Sequence, residues 1–423
     1  MRPWKTILII TILAAAAIRV YTALDCDTVP DYSDMATYNR IALGDDAPAV
    51  NIETQSATRQ RLYDKKAMAK RSARGSTKKK AHATSLETPR VSPPPGYPLF
   101  LKTVYGIFGK SNYKAIFLIQ ALLSTLTVFG IYYVTARVRD RATGIVAAAI
   151  AAIYPNFIIY NLTTLTESVS LLFVVLLMAA LVHPSSGRKR SVAAALILFA
   201  GCAFRPPFLY FWPGIFTGVK KKLLFVTATA IVVLPLMVVG LATGKVSNRA
   251  ALALYKSYNE KATGVRSYEM RQTKLGSRDL SSGRYLRGAA DFIKKNKWET
   301  LDIVYNKAAV FVTRGWDSFV MVRLVPENRN VHKIIEYAWL PVMIAGLIGM
   351  LRLRDSRNSI IFRMTISYVV FITILAIFKV RYRLMIEPML IIFAAILITD
   401  LFKRNEAETT DGTIAATGSE NEA

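Results

Sequence analysis

Apolar residues in this chain come in unbroken runs, not on one face of each element. Several runs approach the roughly 20 residues that carry a helix across a bilayer. The first follows Met1-Arg2-Pro3-Trp4-Lys5 and continues to about Leu24. Its basic start and alanine-rich middle also suit a signal peptide. Arg19 near the far end, and the acid before Cys26, favour an uncleaved first span with its N-terminus cytoplasmic. Further runs lie at about 115–135, 143–160, 165–182, 222–242, 338–351, 359–377 and 384–401. A block from 191 to 219 is broken by Arg205-Pro206-Pro207, and reads as one tilted helix or as two short passes.

Loop charge chooses between those two readings, because short cytoplasmic loops concentrate Lys and Arg. The clusters are Arg137, Arg139 and Arg141; Arg188, Lys189 and Arg190; Lys220, Lys221 and Lys222; Arg352, Arg354 and Arg357; and Lys403 and Arg404. All of them fall on the side of the N-terminus only if 191–219 is a two-pass hairpin. The expected fold class is therefore all-α: a polytopic helical membrane protein with about ten transmembrane helices and two long outside loops containing interfacial helices. Four regions follow: an N-terminal transmembrane module, 1–242, with a first outside loop at 25–113; an outside loop region, 243–336; C-terminal transmembrane helices, 337–404; and a disordered cytoplasmic tail, 405–423. Both termini are then cytoplasmic, in the plasma or inner membrane. No inverted duplication of the kind common in transporters is visible.

The first outside loop changes character along its length. It opens acidic, with Asp25, Asp27, Asp31, Asp34, Asp45 and Asp46, and turns basic over Lys65–Lys80. It ends in Ser92-Pro93-Pro94-Pro95-Gly96-Tyr97-Pro98, a stiff stretch that bars a helix. Leu99 to Phe108 is apolar but too short to span, which predicts an interfacial or re-entrant helix.

Composition narrows the classes. At 423 residues and 53% hydrophobic, with the apolar residues in runs, the chain is neither a soluble globular enzyme nor disordered. Cys26 and Cys202 cannot make a disulfide framework, and three histidines leave little for a His-based metal site. The formal charge of +27 points to nucleic acid, an anionic membrane surface or a phosphorylated substrate. Lys65–Lys80 lacks the interleaved aromatics of a single-strand binder, so it reads as a membrane-surface run and no nucleic-acid partner is expected. There is no P-loop and no Gly-x-Ser-x-Gly elbow. Asp25-Cys26-Asp27 has the Asp-x-Asp spacing of metal-dependent sugar transferases, a pattern short enough to arise by chance. No cofactor is called for, and a divalent metal stays open.

The candidate chemistry sits at outer span ends. Asp34, Tyr38 and Ala42 are spaced i, i+4, i+8 and share a helix face, with Ser33 as a candidate cap. The plainer reading is an acidic helix start favoured by the dipole. Glu167 in Leu165-Thr166-Glu167-Ser168 is a carboxylate at a span edge, either functional or snorkelling to the interface. Arg205, Arg381 and Arg383 could grip a phosphate or could simply anchor span ends at the headgroups. Together they outline an anion site facing a carboxylate.

That order of motifs resembles the GT-C superfamily of polytopic glycosyltransferases, especially relatives of protein O-mannosyltransferases and of the lipid A aminoarabinose transferase. Asp34, Tyr38 and Ala42 follow a first span. Pro94-Pro95-Gly96-Tyr97-Pro98-Leu99 leads into Val104 to Gly109. Tyr154-Pro155 precedes Thr166-Glu167-Ser168, and Arg205-Pro206 follows a small-residue span. Asn259 to Gly264, Phe292 to Trp316 and Arg381 to Pro388 continue the series. The first outside loop is longer and more Lys-rich than the family pattern, and Met385 stands where proline is common. The resemblance implies a polyprenyl-phosphate sugar donor, a lipid, glycan or protein acceptor, and inversion at the anomeric centre on the extracytoplasmic face. It implies Asp34 as the base, with Arg205, Arg381 and Arg383 on the lipid phosphate and Tyr38, Tyr97 and Glu167 also at the substrate. A transporter or flippase would share the spans but should carry ionisable groups near mid-depth, where only Arg19 stands out. A non-catalytic scaffold binding anionic lipid would not need Asp34 at all.

Overall fold

The computed structural model describes residues 3–27, 33–44, 93–242, 247–260, 262–263, 282–313, 333, 337–352, 359–375 and 380–419. The Lys65–Lys80 run, Asp31, Gly264, Trp316, Arg354, Arg357 and Lys379 lie outside them, as does the side chain of Ser33. Among the described residues every regular element is helical, as expected. In chain order these are α1 (Pro3–Asp25), α2 (Ser33–Leu43), α3 (Gly96–Phe108), α4 (Tyr113–Val138), α5 (Arg141–Ile153), α6 (Pro155–Ile159), α7 (Glu167–Val182) and α8 (Gly187–Phe204). After a 3-10 turn, Pro206–Phe211, come α9 (Trp212–Gly218), α10 (Lys222–Ala242), α11 (Ser247–Ser257), α12 (Ser282–Lys295) and α13 (Lys297–Thr313). The chain closes with α14 (Trp339–Arg352), α15 (Ser359–Leu375), a 3-10 turn at Val380–Met385, and α16 (Glu387–Ser419). α16 runs on through the polar tail that composition reads as disordered.

Local chemistry sets the starts. Asn112 caps α4 by accepting from the Ala115 amide at 3.0 Å, and Asp140 caps α5 through Thr143 at 2.8 Å. α5 ends where Pro155 removes an amide donor, and the chain bends by 56° into Pro155–Leu162. The break leaves the Ala151 and Ala152 carbonyls without helical partners. Arg19, fully buried on α1, donates to both, at 3.0 and 2.8 Å, and to Ser124 Oγ at 2.9 Å. The one doubtful intramembrane charge is thus a cap for a broken helix.

By length and composition two described helices can cross a bilayer, α1 and α4, or three if the bent pair counts as one span. α7, α14 and α15 are apolar but shorter, at 16, 14 and 17 residues. The block at 191–219 is two arms: α8 runs to Arg205, and the chain returns so that Ser191 Oγ lies 3.4 Å from the Lys221 carbonyl. α14 runs alongside α16 closely enough that a Cβ on Gly349 would lie 2.3 Å from the Phe393 carbonyl. At one end of the bundle the Arg141 guanidinium stacks over Trp4 at 4.6 Å, Arg139 meets Asp400 at 2.6 Å, and Lys403 meets Asp140 at 2.8 Å. Asp34, Glu167, Arg205 and Arg381 gather at the other.

Candidate active site

α2 carries Asp34 in its first turn, where a carboxylate suits the helix dipole. Tyr38 and Ala42 follow on the same face and pack against α3. The Tyr38 ring meets the Tyr97 ring edge-on at 5.2 Å, and Tyr97 is fully buried. The Tyr97 hydroxyl donates to Gln120 Oε1 at 3.0 Å, and Gln120 Nε2 donates to the Asn161 and Thr163 carbonyls at 2.9 and 2.8 Å. Gly96 lets this turn approach the end of α8, since a Cβ there would lie 2.8 Å from the Ala203 carbonyl. Burial first, and the neighbouring Asp34 next, push the Tyr38 phenol above its ordinary pKa, so it stays a neutral hydroxyl.

Glu167 opens α7 and is fully buried. Arg205, just past the end of α8, donates from Nη1 to Glu167 Oε1 at 2.8 Å. Arg381 Nε lies 3.7 Å from the same oxygen, while Arg381 Nη2 donates to Asp34 Oδ2. Arg205 Nη2 reaches the Arg381 carbonyl at 3.4 Å, and its guanidinium sits 5.0 Å from the Tyr382 ring centre. Burial alone would lower the pKa of both arginines. Glu167 at Arg205, and Asp34 followed by Glu167 at Arg381, outweigh it and hold both charged. Exposure grades along the set: the side chain of Glu167 is 1% exposed, Arg381 14% and Asp34 42%. Asp34 is the open end of a chain of charges anchored inside.

Asp34, Tyr38, Tyr97, Glu167, Arg205 and Arg381 are therefore brought into one neighbourhood. Arg383 is not. It is fully buried, donates from Nε to Glu387 Oε1 at 3.1 Å and from Nη1 to the Phe311 carbonyl at 3.0 Å, and stacks on Trp339 at 3.8 Å. These contacts are with Glu387, Phe311 and Trp339, none of which belongs to the Asp34 set. Asn156 Nδ2 completes that second cluster at 3.2 Å from both Glu387 oxygens. Gln120 escaped the sequence reading, and Glu387 entered it only within the Arg381 to Pro388 stretch, without a role. A buried Gln inside an apolar run, and a Glu four residues after an Arg, were the available signals. Asp25 ends α1 and Cys26 and Asp27 follow it, with Asp27 paired to Lys114 at 3.0 Å. Among the described residues no three His, Cys, Asp or Glu side chains converge as a metal site needs.

Residues 92–238 match the family model described as dolichyl-phosphate-mannose-protein mannosyltransferase. No curated protein matches the chain. Among solved structures it is similar to the archaeal oligosaccharyltransferase AglB from Archaeoglobus fulgidus in complex with an inhibitory peptide and a dolichol-phosphate, at 13% identity and TM-score 0.47, over 97% of this chain and 52% of that one. The apo form of the Archaeoglobus fulgidus oligosaccharyltransferase gives 13% identity and TM-score 0.49 over the same shares. The chain spans about half the length of these structures. Residues 92–238, about a third of the chain, are thus similar to a mannosyltransferase family of the GT-C kind that the motif order resembles.

Proposed function

We propose that the protein is an integral-membrane glycosyltransferase that moves a sugar from a polyprenyl-phosphate donor to an acceptor hydroxyl. The observation that carries this reading is the Asp34–Arg381–Glu167–Arg205 set, with a partly exposed carboxylate at its open end. In this reading the acceptor, a lipid, glycan or protein, presents its hydroxyl to Asp34. Asp34 takes the proton as the new C1–O bond forms, because a neutral hydroxyl is a poor nucleophile until that proton moves. The C1–O bond to phosphate breaks with its electron pair going to the leaving oxygen, and the anomeric centre inverts. Oxocarbenium-like charge develops on the sugar in the transition state. The polyprenyl phosphate stays anionic and needs no proton. Arg381, released from Asp34 toward the phosphate, and Arg205 stabilise it electrostatically. Tyr38 and Tyr97 line the approach, and Glu167 holds the two arginines in place.

The same proposal takes about ten passes, with the shorter apolar helices crossing beside α1 and α4. It keeps the module 1–242, the outside region 243–336 and the C-terminal helices 337–404 as functional units. It sets both termini in the cytoplasm, the site extracytoplasmic and the protein in the plasma or inner membrane. Support for the sidedness is the gathering of Trp4, Arg139, Arg141 and Lys403 at the end away from Asp34.

The test is transfer from a polyprenyl-phosphate sugar in detergent. Asp34→Asn keeps the shape and removes the base, and should lower turnover by roughly 10²–10⁴-fold while donor-lipid binding survives. Near wild-type transfer by that variant, with Asp31→Asn inactive, would move the base to Asp31. Activity in both would sink the carboxylate mechanism.

A further inference from the structure

At the end of the bundle away from Asp34, α4, α7, α8, α9 and α15 leave a cavity of about 320 Å³. Four cations line it: Arg137 at the end of α4, Arg190 in the first turn of α8, Lys220 after α9, and Arg363 on α15. Among the described residues no carboxylate lines it. This contrasts with the Asp34 site, where each guanidinium meets an acid. It also differs from the neighbouring surface, where Arg139 has Asp400 and Lys403 has Asp140. Arg363 is partly committed, donating to the Thr217 carbonyl at 2.8 Å and Ser359 Oγ at 3.3 Å. Arg190 Nε is buried and, among the described residues, meets no hydrogen-bond acceptor. A buried donor nitrogen without an acceptor is unfavourable, even on a side chain that is only half-buried overall.

We infer that this cavity is a binding site for a phosphate group, separate from the site of sugar transfer. Four like charges gather around one concavity, three of them exposed and one half-buried, and an anion among them would meet all four. Guanidiniums converging from three helices offer the planar, charge-assisted donors that phosphate oxygens accept best. The α8 amide ends at Gly187 add a favourable dipole behind Arg190. The volume holds one headgroup, not a whole lipid. Arg190 lies about 22 Å along α8 from Arg205, at 1.5 Å per residue, so one phosphate cannot serve both sites. The phosphate belongs either to an anionic lipid whose chains lie along the outward-facing Leu223 and Val226 of α10, or to a soluble anion.

The experiment uses full-length, delipidated protein in neutral detergent. Native mass spectrometry compares retention of phosphatidylglycerol with phosphatidylcholine, and thermal unfolding measures stabilisation by inorganic phosphate against chloride at equal ionic strength. Wild type should hold one phosphatidylglycerol in preference to phosphatidylcholine. Arg137→Gln and Arg190→Gln should each weaken it roughly tenfold, as loss of one charge-assisted contact does. Arg137 is exposed, so its variant folds even if Arg190→Gln does not. Arg188→Gln with Lys189→Gln, outside the cavity, should change nothing. Stabilisation by inorganic phosphate, lost in the same variants without a lipid preference, would identify a soluble anion as the ligand of the same site. Equal losses in the Arg188 and Lys189 control, or no response to either probe, would overturn the proposal.

Discussion

Arg381 and Arg383 stand two residues apart on one 3-10 turn, and the chain puts them to different uses. At three residues per turn their side chains diverge by about 120°. Arg381 is held by carboxylates from elsewhere in the sequence, Asp34 of α2 and Glu167 of α7. Arg383 pairs with Glu387, four residues on, and is closed over by Trp339 and the Phe311 carbonyl. Both are cations with acidic partners, Arg383 buried and Arg381 partly so. The difference is that one network leads outward to a side chain 42% exposed, while the other ends inside the protein. A buried ion pair is therefore not by itself a site; what distinguishes one is a charge left within reach of a ligand.

The largest effect should come from cutting the first network at its root. Glu167→Ala leaves Arg205 and Arg381 facing each other without their shared acid. Removing one partner of a buried pair typically costs about 3–5 kcal/mol. Thermal unfolding in detergent should show that loss, and sugar transfer should disappear with it. An unchanged melting temperature would mean that Glu167 is not the anchor.

The second network can be replaced as well as broken. Arg383→Met alone strands Glu387 in an apolar setting and should destabilise by a similar amount, about 3–5 kcal/mol. Arg383→Met together with Glu387→Met should recover much of it, because well-packed apolar pairs often equal a buried ion pair. If Arg383 only positions the turn that carries Arg381, the double variant also transfers sugar. A double variant that is stable but inactive would return Arg383 to the phosphate.

Much of this contrast was readable before any coordinates, though not the part that separates the two arginines. Helical periodicity gave Asp34, Tyr38 and Ala42 one face, and loop charge gave the hairpin at Arg205. Both signals are local. The Glu167 bridge joins residues 38 apart in sequence on one side and 347 apart once Asp34 and Arg381 are linked, and no spacing rule reaches that far. Arg381 and Arg383 look alike as letters, because the turn that splays them is set by tertiary packing. Arg19 was similarly ambiguous: only the bend at Pro155 reveals which carbonyls it serves. Breaks at Pro155 and Arg205 shorten the helices beside them, and length and composition count two spans among the described residues, or three with the bent pair.

A third buried cation sharpens the comparison by having no acid among the described residues. Lys307 on α13 is fully buried, its Nζ has no hydrogen-bond acceptor among the described residues, and it lies 4.3 Å from the centre of the Tyr258 ring. Burial lowers its pKa from 10.5 to about 8. Below pH 8 the folded and unfolded chains both hold the proton, and the folded state carries the full penalty of a buried charge. Between about 8 and 10.5 the folded chain has released it while the unfolded chain still binds it. The unfolded state then binds more protons, so stability should rise with pH across that window. Tyr258 is itself pushed upward by burial and stays neutral through most of that range. Lys307→Met removes the titrating group and should be more stable than wild type at pH 7, with the gap closing toward pH 10.5. Unfolding of the two proteins side by side over this range cancels background titration. This is the smallest of the expected effects, because an aromatic face already offsets part of the charge. A gap that stays constant, or widens as pH rises, would mean that Lys307 is held by an acceptor after all, and that it belongs with Arg383 instead of standing apart from both networks.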